Sequence, residues 1–347
     1  MRAIGVVPGQ PESAGVLEVE DPPLSDGQVL VRGILVGICG TDAEIVHQGY
    51  GHVPEGASHL VIGHESLGQV VEAPEGSGLR PGDMVVGMVR RPDPVPCPSC
   101  AAGDWDMCSN GGYVERGIKD APGYGSQWWR IDPAYAVKVD PALGRLGVLL
   151  ETTSVVAKAW EQVDRIGTRS RVAPQVALVT GAGPVGLLAA LLARQRGLDT
   201  WVLDVVTDGP KPELVAELGA TYSSAPASEL PVQPDVVVEC TGLGSVLSAV
   251  FAQAAPNAVL ALAGVSHHSK LVEGDLDAVN RRLVLGNQVV FGTVNAGRRH
   301  FEQAGHALGV ADPAWLGRLL TRQVDMARWP ESLVKTADDI KVTVSLD

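Results

Sequence analysis

The feature that most restricts the fold is a run of alternating segments from residue 174 onward, punctuated by the string GAGPVG. PQVALVT reads as a strand, GAGPVGLLAALLARQRG as a turn and helix, TWVLDV as a strand and KPELVAELGA as a helix. PDVVVECTG, NAVLALAG and QVVFGTV supply three more short apolar strands. Repeated strand–helix–strand units pack as a parallel sheet covered on both faces. In GAGPVG, Gly181 allows a tight turn, Gly183 lets backbone N–H groups approach a pyrophosphate, and Gly186 permits close helix–strand packing. Pro184 and Val185 complete the string and open the helix, whose N-terminus offers partial positive charge to a phosphate. Asp204 ends the next strand, 18 residues past Gly186. A carboxylate there accepts hydrogen bonds from the adenosine ribose and repels a 2′-phosphate. Residues 205 and 206 are both valine, so no arginine follows to clamp that phosphate, and NAD is favoured over NADP. Lys211, the nearest cation, is within reach of the ribose. The competing reading is a glycine turn that binds no nucleotide.

The first 140 residues have another character. QVLVRGILVGICG (28–40), GQVVEA (68–73) and GDMVVGMVRR (82–91) read as strands separated by Gly- and Pro-rich loops. Around residue 147 the pattern changes, and Leu149, Thr153, Val156, Trp160 and Val163 recur at helical spacing. After about 294, HFEQAGHAL and PAWLGRLLTRQ look helical, and DIKVTVSLD ends as a strand that can return to the β-rich region. At 347 residues the chain is long for one core and suits two domains. The net charge of -13 disfavours sequence-independent binding to nucleic acid or an anionic membrane. No secretion signal opens the chain, and no apolar run reaches the ~18–20 residues that span a bilayer. The expected location is the cytoplasm.

Five cysteines stand at 39, 97, 100, 108 and 240, three of them within twelve residues. In a cytosolic chain such crowding suggests metal more than disulfides. Cys97, Cys100 and Cys108 in CPSCAAGDWDMC point to a structural zinc, with Asp93 the candidate fourth ligand; metal-free thiols are the alternative. Cys39 lies in GICGTD, His64 and Glu65 in GHES, and Glu151 at the start of the linking helix. Thiolate, imidazole and carboxylate all ligate Zn²⁺, which in a catalytic site polarises a hydroxyl oxygen and lowers its pKa. Thr41 can carry the hydroxyl proton outward, and Asp42 can fix the His64 tautomer. Intervals of 25 residues from Cys39 to His64 and 86 from Glu65 to Glu151 are not self-proving; the bland alternative is a small buried cysteine, a loop histidine and surface acids. His47, His52, His59, His267, His268 and His306 read as loop or surface residues, and Cys240 as core.

GICGTD, GHES and GAGPVG occur in this order within longer segments: GICGTDAEIVHQGYG, LVIGHESLGQVVE, GDMVVGMVRRP, YVERGIKDAPGYGSQWWR, GVLLETTSVVAKAW and FGTVNAGRRHFEQA. On these the chain resembles the zinc-dependent medium-chain dehydrogenases over essentially its whole length, above all their glucose 1-dehydrogenase branch. The resemblance implies an α/β fold with a GroES-like β-rich catalytic domain built from 1–155 with 294–347. A Rossmann domain with a doubly wound parallel sheet occupies 156–293. It implies Cys39, His64 and Glu151 as catalytic zinc ligands, Glu65 beside the metal and able to enter its shell, and Thr41 as the proton relay. Glu115 and Asn295 fall where the branch contacts sugar hydroxyls, with His300 in the same segment, and Lys211 falls where a lysine contacts the adenine ribose. Homodimers or homotetramers are implied as well.

Three departures stand out. Thr152 replaces the proline that commonly follows the acid, Asp93 and three cysteines replace four cysteines, and Val205 replaces the arginine of NADP-using relatives. The expected activity is NAD-dependent dehydrogenation of a small polyhydroxylated substrate, with glucose or a related aldose foremost. The alternatives are the same chemistry on a cyclitol, nucleoside or other secondary alcohol, and a nicotinamide-binding protein without activity.

Overall fold

The computed structural model describes residues 1–22, 27–266 and 275–347, so the histidines at 267 and 268 lie outside the described residues. The chain divides into two units, Met1–Ser154 with Asn295–Asp347, and Val155–Val294.

The first unit is organised by the strand Val29–Ile38. Its burial alternates at first and is continuous from Leu35 on, as expected of a strand whose later half is covered on both faces. It pairs antiparallel with Glu65–Glu72, Trp128–Ile131 and Lys341–Ser345. The sheet extends through Met84–Gly87 to Ala136–Lys138 on one side and to Leu320–Asp325 on the other. Lys341–Ser345 is buried at every position and lies between Val29–Ile38 and Leu320–Asp325, so the later part of the chain takes an interior place in a sheet begun near residue 29. Val36, Ile38, Leu60, Ile62, Trp329, Val342 and Val344 form its main apolar cluster.

The helix expected across PAWLGRLLTRQ stops at Leu319. Leu320–Asp325 is instead a strand, because it pairs in parallel with Lys341–Ser345; ladder hydrogen bonds outweigh local helical spacing. The strand expected over 28–40 likewise ends at Ile38, and Cys39 becomes the N-cap of the helix Gly40–Gln48. The Cys39 thiol accepts the Thr41 N–H (3.3 Å) and Asp42 Oδ2 accepts the Cys39 N–H (2.9 Å), a reciprocal capping box.

The second unit holds six parallel strands in spatial order Thr221–Ser223, Asp199–Leu203, Val176–Thr180, Val236–Glu239, Val259–Leu262, Val289–Gly292. Numbered along the chain this order is 3-2-1-4-5-6, the doubly wound arrangement whose ligands lie at the carboxyl ends of the strands near the first. Among the described residues no helix is long and apolar enough to cross a membrane.

Candidate active site

Cys39 is placed by the end of a central strand, and His64 by the turn that leads into the next strand, Glu65–Glu72. Antiparallel pairing sets Glu65 opposite Gly37, which brings the two segments together. Cys39 Sγ and His64 Nε2 lie 3.1 Å apart, and a Glu65 oxygen completes a set of donors all within 4.8 Å of one another. Zinc bonded to a thiolate and an imidazole holds those atoms about 3.5 Å apart, so the pair fits a shared ion after a shift of a few tenths of an ångström. The other ring nitrogen, His64 Nδ1, faces Asp42 Oδ1 at 3.5 Å. Burial presses the His64 pKa down, but Cys39 and Asp42 together push it well above the usual histidine range. Burial would raise Asp42, and His64 with the Cys39 N–H brings it below the usual carboxylate value. Thr41 follows Cys39 by two residues and is half-buried.

Glu65 has a second partner. Both its oxygens are held by Lys341 Nζ, at 2.6 and 2.5 Å, and neither side chain is exposed to any extent. A Cβ on Gly37 would collide with the Glu65 carboxylate, so glycine at 37 makes room for the ion pair. Glu151, on the first turn of the helix Leu150–Gly167, is buried and lies close enough to feel His64, Glu65 and Lys341. Burial first of all, then the Glu65 charge, push it up to about 7 against the pull of His64 and Lys341. Its carboxylate is not among the atoms gathered within 4.8 Å; the structure brings Glu151 beside the donors without closing it onto them.

Glu115 and Asn295, 180 residues apart, meet directly: Asn295 Nδ2 donates to Glu115 Oε1 at 2.9 Å. Asn295 sits in the left-handed region (φ 60°), where its Oδ1 accepts the Ala296 N–H at 2.8 Å. His300 departs from the expectation of a substrate contact. It is wholly buried, and its Nδ1 accepts the Gly297 N–H at 3.0 Å, closing the first turn of the helix Arg298–Gly309. Helix geometry turns it inward although it stands close to Asn295 in sequence.

In the second unit the glycine turn has the geometry that its spacing demands. Gly181 is left-handed (φ 85°), Gly183 caps the helix Pro184–Gln195 with Pro184 at its first position, and a Cβ on Gly186 would strike the Gly181 carbonyl. Val185 lies in the same first turn. Asp204 Oδ2 accepts the Ala182 N–H at 2.6 Å and lies 3.7 Å from Lys211 Nζ. Val205 is exposed beside it.

Cys97, Cys100 and Cys108 present their three sulfurs within 4.8 Å of one another. Cys97 Sγ accepts the N–H groups of Cys100 (3.4 Å) and Ser109 (3.5 Å), which lower its pKa to about 6. That favours the thiolate a metal needs. Asp93 does not join them with its carboxylate, which instead accepts the N–H groups of Val95 (2.8 Å) and Gly112 (3.1 Å). The three thiols fit zinc; the fourth position is not filled by Asp93 in this geometry. Of the remaining histidines, His47, His52 and His306 are exposed and His59 is half-buried, in keeping with the surface reading.

Two residues of these networks carry no sequence signal of function. Lys341 stands in an apolar terminal strand, 276 residues from its partner, and Arg90 stands beside Arg91 at the end of GDMVVGMVRR. A β-rich unit with a thiolate–imidazole pair at a strand end, and a doubly wound unit with this glycine turn, define a zinc-dependent, nicotinamide-linked alcohol or sugar dehydrogenase. Residues 25–141 match the alcohol dehydrogenase GroES-like domain, and residues 144–346 match the glucose dehydrogenase C-terminus. Glucose 1-dehydrogenase of Thermoproteus tenax is 40% identical, with 100% of this chain and 99% of the relative covered; glucose 1-dehydrogenase 2 of Vulcanisaeta moutnovskia is 38% identical at the same coverage. The crystal structure of Haloferax mediterranei glucose dehydrogenase in complex with NADP, zinc and gluconolactone superposes with a TM-score of 0.91 at 32% identity, covering 100% of this chain and 99% of that one. The chain belongs to the zinc-dependent medium-chain dehydrogenase family, in its glucose dehydrogenase-like branch.

Proposed function

We propose that this chain oxidises the anomeric hydroxyl of a glucose-like aldose and passes the hydride to NAD in preference to NADP. One observation carries the sugar reading: Glu115 and Asn295 meet at 2.9 Å in the unit that also holds the Cys39–His64 pair. A carboxylate and an amide together accept from and donate to vicinal hydroxyls, which a simple alcohol does not offer. The gluconolactone bound by the Haloferax mediterranei relative is what C1 oxidation of glucose would yield.

In this proposal Cys39, His64 and Glu151 hold zinc, which when bound polarises a hydroxyl oxygen and lowers its pKa. Asp42 holds the His64 ring so that Nε2 faces the metal. Thr41 would receive the hydroxyl proton and pass it outward; a bound nicotinamide would supply the hydride acceptor, and the oxidised sugar would be the lactone. Glu65, paired with Lys341, would stand beside the metal and could lend it an oxygen. Gly181, Gly183, Pro184, Val185 and Gly186 receive the pyrophosphate on the unit Val155–Val294, and Asp204 with Lys211 receives the adenosine ribose. The Asp204 carboxylate and the absence of a cation at Val205 favour NAD. Cys97, Cys100 and Cys108 hold a structural zinc, and the five free thiols suit the reducing cytoplasm.

Thr152 supports a second reading, oxidation of a cyclitol or other secondary alcohol. Its buried Oγ1 has no hydrogen-bond partner among the described residues, next to Glu151 where the branch commonly has proline. A panel of aldoses, cyclitols and secondary alcohols, followed by absorbance of the reduced cofactor with NAD and with NADP, separates the readings. The highest kcat/KM is expected with an aldose and NAD. Turnover of cyclitols with inert aldoses would establish the second reading instead.

A further inference from the structure

We propose that the three-cysteine lobe positions the sugar-binding carboxylate, acting through Arg90. The proposal rests on the sugar reading of Glu115 and Asn295. Arg90 is buried; its Nε donates to Glu115 Oε1 at 3.0 Å and its Nη2 forms an ion pair with the same oxygen at 3.0 Å. Its third nitrogen, Nη1, donates to the Asp106 carbonyl at 3.1 Å. The guanidinium plane lies over the Tyr113 ring, 3.8 Å from its centroid. Asp106 belongs to the single turn Trp105–Met107, between Cys100 and Cys108, and the Cys108 N–H closes that turn on the Trp105 carbonyl at 3.2 Å. One guanidinium therefore joins the cysteine loop to Glu115.

The same loop also holds the other half of the pair. Asp104 forms an ion pair with Arg299, and Asp106 Oδ2 lies 4.0 Å from His300 Nδ1. These residues open the helix that directly follows Asn295. Glu115 Oε1 thus accepts two hydrogen bonds, one from Arg90 Nε and one from Asn295, beside the Arg90 Nη2 ion pair. Among the described residues no hydrogen bond reaches Oε2, which stays available to a sugar hydroxyl.

Charge-assisted contacts to Oε1 restrict the Glu115 side chain and favour one placement of its second oxygen for recognition. Lysine offers one ammonium in place of the planar fork that meets Glu115 and the Asp106 carbonyl from separate nitrogens. Arg90 is a positioning residue here, and the order of the cysteine loop is transmitted to sugar affinity. Linkage makes the effect reciprocal: bound sugar must tighten the loop.

The experiment compares wild type, Arg90→Lys and Cys108→Ser, each loaded with zinc, on the best aldose of the panel. Arg90→Lys is expected to raise the sugar KM by about ten- to a hundredfold, the scale of hydrogen bonds to a charged group. The cofactor KM should stay within about twofold, since it belongs to interactions of the other unit. Cys108→Ser should raise the sugar KM in the same direction by about three- to tenfold, because it loosens the anchor without removing the fork. Hydrogen exchange supplies a readout apart from turnover: saturating sugar should slow exchange of backbone amides in 97–109 of wild type, and Arg90→Lys should abolish that protection. An Arg90→Lys protein that folds with the wild-type sugar KM overturns the proposal. If that variant fails to fold, Cys108→Ser decides, and faster exchange of its loop with an unchanged sugar KM is fatal to the coupling. A wild-type enzyme inert towards every aldose instead overturns the sugar reading beneath it, so the two failures are distinct.

Discussion

The glycine turn at Gly181–Gly186 and the donors around Cys39 and His64 are two sites built by opposite means. The turn is made of main chain: a left-handed glycine, a helix N-terminus and a carbonyl so close to Gly186 that no Cβ fits. Its elements are neighbours in sequence, and it needs almost no buried charge. The Cys39–His64 region is made of side chains brought from afar. It buries Asp42, His64, Glu65, Glu151 and Lys341 together, and each charge is tolerable only because another faces it. A main-chain site is robust to most side-chain exchange, whereas a charge-balanced site fails when one member is lost.

Four substitutions test that contrast, from the largest effect down. Cys39→Ala or His64→Ala should lower turnover by about a thousandfold or more, the several kcal/mol that metal polarisation supplies. Binding of reduced cofactor, read by fluorescence titration, should stay within about twofold; parallel loss of both would break the separation of the two sites. Lys341→Met strips Glu65 of its counter-charge and should cost about 3–5 kcal/mol in urea unfolding. An unchanged midpoint would show that Glu65 is neutral or re-partnered and that the balance described for this region is wrong. Asp204→Ala should shift preference from NAD towards NADP by about tenfold, the worth of one or two hydrogen bonds to a carboxylate. An identical preference would leave the main chain as the whole of that site.

The same contrast explains what could be read from the chain in advance. Strand–glycine–helix spacing at 174–197 is local, and so is the cysteine cluster at 97–108; both were legible from residue intervals. Cys39 and His64 meet because Glu65 pairs across from Gly37, a register that no interval of 25 residues reveals, and family resemblance was needed to name them. Lys341 was invisible because its partner lies 276 residues away. Arg90 looked like one more strand residue because its targets come from later segments, Glu115 from the strand Val114–Arg116 and Asp106 from the turn Trp105–Met107. Asp93 shows the limit of nearness: it stands four residues before Cys97, yet its carboxylate accepts the N–H groups of Val95 and Gly112 and is not gathered with the three sulfurs. His300 shows the same limit, since closeness to Asn295 in sequence does not say which side of a helix faces inward. The strand Leu320–Asp325, hidden within PAWLGRLLTRQ, exists because of a parallel partner made later in the chain.

The strand Lys341–Ser345 also imposes an order on synthesis. The ribosome completes the nucleotide-binding unit, all of whose strands lie between residues 176 and 292, before it makes the strand that takes an interior place in the other sheet. Until Lys341 emerges, Glu65 waits without its cation and Val29–Ile38 waits with one edge half open. The open edge of that ladder is the exposure that such a delay creates.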